Sequence, residues 1–157
     1  MSETSPRTVV EVHDIRNDHL DDVIRVDALR SGEKKPEYWA SVFQSFLNRY
    51  DGDGRVGLAA ESEGRFIGYL LGEVRAFEFG SEPCGWIFAV GVDPEHSRAG
   101  VASALLDHAC TSFHRMGVAG VRTMVRRDEV AVLSFFRANN FEGGSFVQLE
   151  KELGGQT

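Results

Sequence analysis

Six consecutive residues, Arg98-Ala-Gly-Val-Ala-Ser103, carry the clearest chemistry in this 157-residue chain. They stand where an apolar run gives way to a helical repeat. The first N–H groups of a helix have no carbonyl partner one turn back. With the helix dipole they make an anion site. Gly100 and Ala102 let a phosphate approach the backbone, and Arg98 adds a permanent charge. No Gly-Lys-Ser/Thr and no full Gly-x-Gly-x-x-Gly occurs, so the other phosphate loops are excluded.

The elements that position this turn are legible on both sides. Trp86 to Val92 is apolar, aromatic and branched, as a central strand requires. Pro94 stops it. Val101, Leu105, Ala109, Phe113 and Met116 then share one helical face, and Gly117 ends the helix.

Val92-Asp-Pro-Glu-His-Ser-Arg-Ala-Gly-Val-Ala102 resembles the acetyl-CoA motif of the GNAT N-acetyltransferase superfamily. That pattern is Val-x-Pro, a short gap, then Gln/Arg-x-x-Gly-x-Gly/Ala. Ser97 stands where Gln or Arg is usual, with Arg98 one position on. Val132-Leu-Ser-Phe-Phe-Arg-Ala-Asn-Asn-Phe141 is similar to the family's Ala-x-x-Phe-Tyr-x-x-x-Gly-Phe. Here Phe136 replaces a frequent Tyr, and Asn140 replaces Gly.

The remaining segments complete the family order. Thr8–His13 reads as a first strand. Asn17 or Asp18 caps a helix to about Leu29, with Leu20, Val23, Ile24 and Ala28 inward. Pro36 opens a second helix, on which Trp39, Val42, Phe43, Phe46, Leu47 and Tyr50 form a stripe. Such a stripe suits a core, with an acceptor pocket as the alternative. Asp51-Gly-Asp-Gly-Arg55 lacks the carboxylates of a calcium loop. Val56–Glu61 and Arg65–Phe77 are strands joined by a turn. Gly120–Arg126 is a strand parallel to the central one. Asp128 caps a last helix with Leu133, Phe136 and Val132 inward, and Phe146–Leu153 is a final strand. The expectation is one α/β domain over residues 1–157, core about 8–153. It has a mixed sheet of the GNAT acyl-CoA N-acyltransferase fold in the order β-α-α-β-β-β-α-β-α-β.

The resemblance implies direct acetyl transfer from acetyl-CoA to an amine. Ser97, Arg98, Ala99, Gly100, Val101, Ala102 and Ser103 would hold the pyrophosphate. Val90, Gly91 and Val92 would pair with the pantetheine arm, one N–H also serving an oxyanion. Phe136 would pack beside the sulfur. The amine must be neutral to attack. Deprotonating a lysine-type amine at pH 7 costs about 4–5 kcal/mol, and an α-amine only about 1. Glu73 is the candidate base, against the plain alternative of a solvated edge carboxylate; Glu78 and Glu82 sit less favourably in the next loop. Phe136 cannot donate a proton, and a thiol near pKa ~8.5 leaves adequately as thiolate. The acceptor is a protein N-terminus, a lysine or a small amine. Its choice would fall to Arg30–Lys35 and Phe77–Cys84. The alternative from another class is a non-catalytic acetyl-CoA-binding regulatory module.

Composition adds bounds. The net charge of −7 argues against nucleic acid and suits a cationic acceptor or plain solubility. Cys84 and Cys110 form no disulfide framework, and the five histidines show no metal-ligand spacing with them. No membrane span or signal peptide is expected, and the cytoplasm is the expected compartment. A homodimer is expected, because the short Glu142-Gly-Gly-Ser145 connection leaves the last strand without its closing partner; the alternative is a monomer whose edge Glu150, Lys151 and Glu152 protect.

Overall fold

The computed structural model describes residues 9–47 and 54–154. Two compact units divide the chain, Met1–Met124 and Val125–Thr157. In the first, β1 (Glu11–Asp14) leads through a 3-10 turn into α1 (Leu20–Ser31) and α2 (Pro36–Leu47). There follow β2 (Arg55–Ser62), β3 (Arg65–Arg75), β4 (Cys84–Val92), α3 (Val101–Arg115) and β5 (Val121–Thr123). The strands form one sheet in the order β1-β2-β3-β4-β5. All neighbours are antiparallel except β4 and β5, which α3 joins as a parallel pair.

β3 is buried along Phe66–Gly72, so both of its faces are covered. Its residues alternate between two layers. Tyr69 and Leu71 join Val23, Val26, Trp39, Phe43 and Phe46 in the core on the α1–α2 side. Gly68 and Gly72 face α3. A methyl group on Gly72 would lie 3.0 Å from Phe113, and one on Gly85 of β4 would lie 2.7 Å from the same ring. Glycine on two adjacent strands therefore makes room for Phe113, which is fully buried.

The expected helices are present with shifted bounds. α1 runs two residues beyond Leu29 and buries Val26, which the expected inward face omitted. Met116 caps α3 and is exposed rather than part of its buried face. Thr8, Tyr50 and Asp51–Asp53 lie outside the described residues.

The second unit contains α4 (Val130–Ala138). Its N-cap is Glu129, not Asp128, whose carboxylate is taken by Arg126 at 2.8 Å. Asn140 adopts φ 69°, the left-handed conformation expected of a helix stop. Two strand expectations need correction. Gly120–Arg126 contracts to Val121–Thr123, where β4 offers partners. Phe146–Leu153 is not a strand in this chain. Alternating polarity supplies a face, but a ladder also needs a neighbour for its N–H and C=O groups. Val147, Leu149 and Leu153 are 77%, 89% and 85% exposed.

Candidate active site

β4 carries the site because it is paired on one side and open on the other for half its length. Its pairing with β5 ends at Ile87↔Thr123, and the Thr123 hydroxyl caps the Ile87 carbonyl at 3.0 Å. Phe88 is an extra residue: Ile87 opposes Gly72, while Ala89 opposes Leu71. Such a bulge bends a strand and increases its twist. Beyond it, Asp93 N–H donates to Ile67 O at 2.8 Å. Antiparallel alternation then turns Gly91 and Ala89 towards β3, and turns the N–H and C=O of Val90 and Val92 outward. Arg30 at the end of α1 confirms the direction, donating through Nη1 to Val90 O at 2.9 Å.

The strand ends in a braced turn. Asp93 is 1% exposed and its Oδ1 accepts the Glu95 N–H at 3.0 Å. Oδ2 faces Arg25 Nη1 at 3.5 Å and Arg65 Nη2 at 3.9 Å, so two guanidiniums compensate the buried carboxylate. Arg25 also donates to Phe66 O at 3.0 Å, tying α1 to the start of β3. Residues Pro94–His96 make a 3-10 turn, and Ser97 and Arg98 follow it exposed.

α3 begins at Gly100 with φ 77° and no side-chain cap. A residue with a Cβ adopts that conformation at a cost. The first α3 bond runs from Ala104 N–H to Gly100 O, so the N–H groups of Val101, Ala102 and Ser103 precede any carbonyl that serves them. No acidic residue stands in this first turn, and nothing lies within 4 Å of where a Gly100 side chain would project. The fit to a pyrophosphate is thus an open, unfilled donor set beside an exposed Arg98.

Tyr69 was not among the expected site residues. Its ring occupies the space above Gly91: a methyl group on Gly91 would fall 2.5 Å from the ring and 2.6 Å from the hydroxyl oxygen. Burial, then the nearby Asp27 carboxylate, pushes the Tyr69 phenol well above its ordinary range, so it stays protonated. Tyr69, Asp27, Lys35, Tyr38, Trp39, Phe88, Ala89 and Val90 line an open cavity of about 470 Å³ beside the open edge.

The other expected residues fall elsewhere. Glu73 on β3 opposes Trp86, with Oε1 3.3 Å from Arg75 Nε. Four residues separate Trp86 from Val90, roughly 13 Å of strand. Phe136 lies in the second unit, buried and in ring contact with Phe141 at 5.1 Å. The contacts of Arg25 and Arg30 span 68 and 60 residues of sequence, and no local pattern in α1 signals them.

The acetyltransferase (GNAT) family profile matches residues 13–141. A mycothiol acetyltransferase of Saccharomonospora viridis is 30% identical over 96 residues, 59% of this chain and 31% of that protein. The chain thus spans about a third of that curated relative's length. Among solved structures, aminoglycoside N-acetyltransferase AAC(6')-Iy in complex with CoA superposes with a TM-score of 0.78 at 15% identity, covering 95% of this chain and 99% of that one. The 6'-N-acetyltransferase AAC(6')-IG of Acinetobacter haemolyticus gives 0.73 at 19% identity, covering 92% and 99%. These likenesses establish the fold, and the profile match over most of the chain establishes the kinship: this protein belongs to the acetyltransferase (GNAT) family.

Proposed function

We propose that the protein transfers an acetyl group from acetyl-CoA to an amine. The observation that carries this is the succession, within 14 residues, of an open β4 edge at Val90 and Val92 and an open donor set at Val101–Ser103. The backbone of Val101, Ala102 and Ser103, with Arg98 and Ser97, holds the pyrophosphate. The outward N–H and C=O groups of Val90 and Val92 align the arm that bears the acetyl thioester, the acyl donor of the reaction. Arg30 occupies Val90 O until that arm arrives. Glu73 is the proposed base. It stands beside Arg75 and some way down the strand, so it would act through water.

The acceptor reading as an amine draws on the relatives, named for aminoglycosides and for mycothiol. Free Cys84 and Cys110 accord with a reducing cytoplasm as the compartment. The proposed partner is a second copy of the chain, since Val147, Leu149 and Leu153 are exposed on a segment of β-type alternation. A second reading, a non-catalytic acetyl-CoA-binding module, is favoured by Phe136, which offers no hydroxyl to the departing thiolate.

Thermal denaturation with CoA tests the donor site. CoA raises Tm through mass action. Gly100→Glu abolishes the shift by placing a carboxylate where φ is positive and phosphate must lie. An unchanged shift in folded Gly100→Glu protein would remove the pyrophosphate assignment. Acetyl-CoA consumption over an amine panel separates enzyme from module.

A further inference from the structure

The cavity beside the open edge of β4 has walls that choose among amines. Four aromatic residues are among those that line it. Tyr38 and Trp39 meet edge to face with centroids 5.1 Å apart, and Trp39 meets Tyr69 at 5.5 Å in the same manner. Phe88, pushed out by the bulge, is 40% exposed and braced by Phe46 at 5.6 Å. Tyr38 is 54% exposed at the mouth. The cavity floor includes Val90, whose carbonyl marks the open edge.

Its charges are already matched. Asp27 is the one carboxylate among the lining residues. Its Oδ2 accepts the Trp39 indole N–H at 3.0 Å and lies 3.6 Å from the Lys35 ammonium. Lys35 itself lines the cavity, and the Arg30 guanidinium reaches the same stretch of β4. A polycation entering here meets one acid already engaged by Trp39 and Lys35, with the Lys35 ammonium beside it. Its remaining ammonium groups would lose water without gaining partners, and that is costly. A flat apolar body meets rings on several sides, where stacking adds to area burial.

We propose that the acceptor is a primary amine carried on a planar, apolar body, an arylalkylamine in type, with its ring between Tyr38 and Phe88 and its amine directed to the β4 edge. This rests on the acetyl-transfer reading for the reaction but not for the binding. The reaction, with this acceptor, forms the amide N–C bond and breaks the thioester C–S bond. The amine proton goes to solvent or base, and CoA leaves as thiolate, which takes up a proton from solvent.

Two measurements test it. Of the two tryptophans, Trp86→Phe leaves Trp39 as the fluorescent reporter. Titration with 2-phenylethylamine or tryptamine is expected to change Trp39 emission saturably, whereas spermidine and kanamycin leave it unchanged. In turnover with acetyl-CoA, the arylalkylamines are expected to exceed spermidine and kanamycin in kcat/KM by at least about tenfold. Tyr38→Ala and Phe88→Leu should each raise KM for the arylalkylamine by about tenfold while the CoA-induced Tm shift persists. Preference for spermidine or kanamycin, or unchanged KM in both variants, overturns the proposal. Loss of turnover with saturable Trp39 binding intact would refute acetyl transfer and leave the pocket assignment standing. No binding of arylalkylamines alongside a normal CoA shift would do the reverse.

Discussion

Tyr69 and Gly91 share one space: the phenol of β3 lies where a side chain on β4 would stand, and a methyl carbon on Gly91 would fall only 2.5 Å from the ring. The pair lies at Tyr69↔Gly91 in the sheet register, next to the outward-facing Val90 and Val92. Packing therefore couples a buried ring to the stretch of backbone on which the donor arm is proposed to lie.

Gly91→Ala is expected to force Tyr69 or β4 to shift. Overpacking of this kind costs about 1–3 kcal/mol. Chemical denaturation should show that loss, and KM for acetyl-CoA should rise. Combining it with Tyr69→Phe removes the closest oxygen but not the ring, so most of the loss should persist. Stability equal to that of the parent protein would show that the ring yields easily.

Glu73→Gln addresses the base. An amine that must be deprotonated gains most from a base at low pH, where little is neutral. The variant should lose about 100-fold in kcat/KM at neutral pH, within the usual range for a positioned base. The loss should shrink as pH approaches the amine's own pKa. A loss independent of pH, or no loss, would remove Glu73 from the mechanism.

Cys110 supplies a pH prediction unrelated to catalysis. Burial first, and the Asp107 carboxylate second, push its thiol above the ordinary value. The thiolate is the reactive form, so iodoacetamide should modify Cys110 more slowly than a free cysteine at pH 8. The rate should go on rising beyond the pH at which ordinary thiols level off. Asp107→Asn removes one cause and should accelerate the reaction at fixed pH. Ordinary reactivity at pH 8 would contradict the assignment.

Light scattering at micromolar concentration is expected to give twice the chain mass. Val147→Lys with Leu149→Lys should return a monomer that keeps its near-ultraviolet signal. A monomeric parent protein would defeat the dimer, and a dimer untouched by both changes would move the interface to another surface.

The parts of the fold legible in the sequence are those governed by neighbours in the chain. The face of α3 from Val101 to Phe113, the stop at Gly117 and the left-handed Asn140 all follow from local spacing and backbone preference. So does the turn from Val92 to Gly100. Phe146–Leu153 was misread because alternation is a property of a segment, whereas a strand is a property of a pair. Within the site, the donor turn was legible and the braces were not. Asp93 can be seen before Pro94, but its burial depends on Arg25 and Arg65, which arrive from α1 and from the start of β3. Tyr69 lacked any signal of its own, since a tyrosine in an apolar strand reads as core, and it is core as well.

The bulge at Phe88 has a consequence for how this chain tolerates length change. Ile87 and Ala89 already oppose consecutive residues of β3, Gly72 and Leu71. Phe88 is the one residue of β4 that the ladder does not count. Its deletion would leave every other cross-strand pair as it is, where a deletion elsewhere in β4 would flip the downstream side chains to the opposite face. A chain lacking Phe88 should therefore fold with its sheet in register but with β4 straightened.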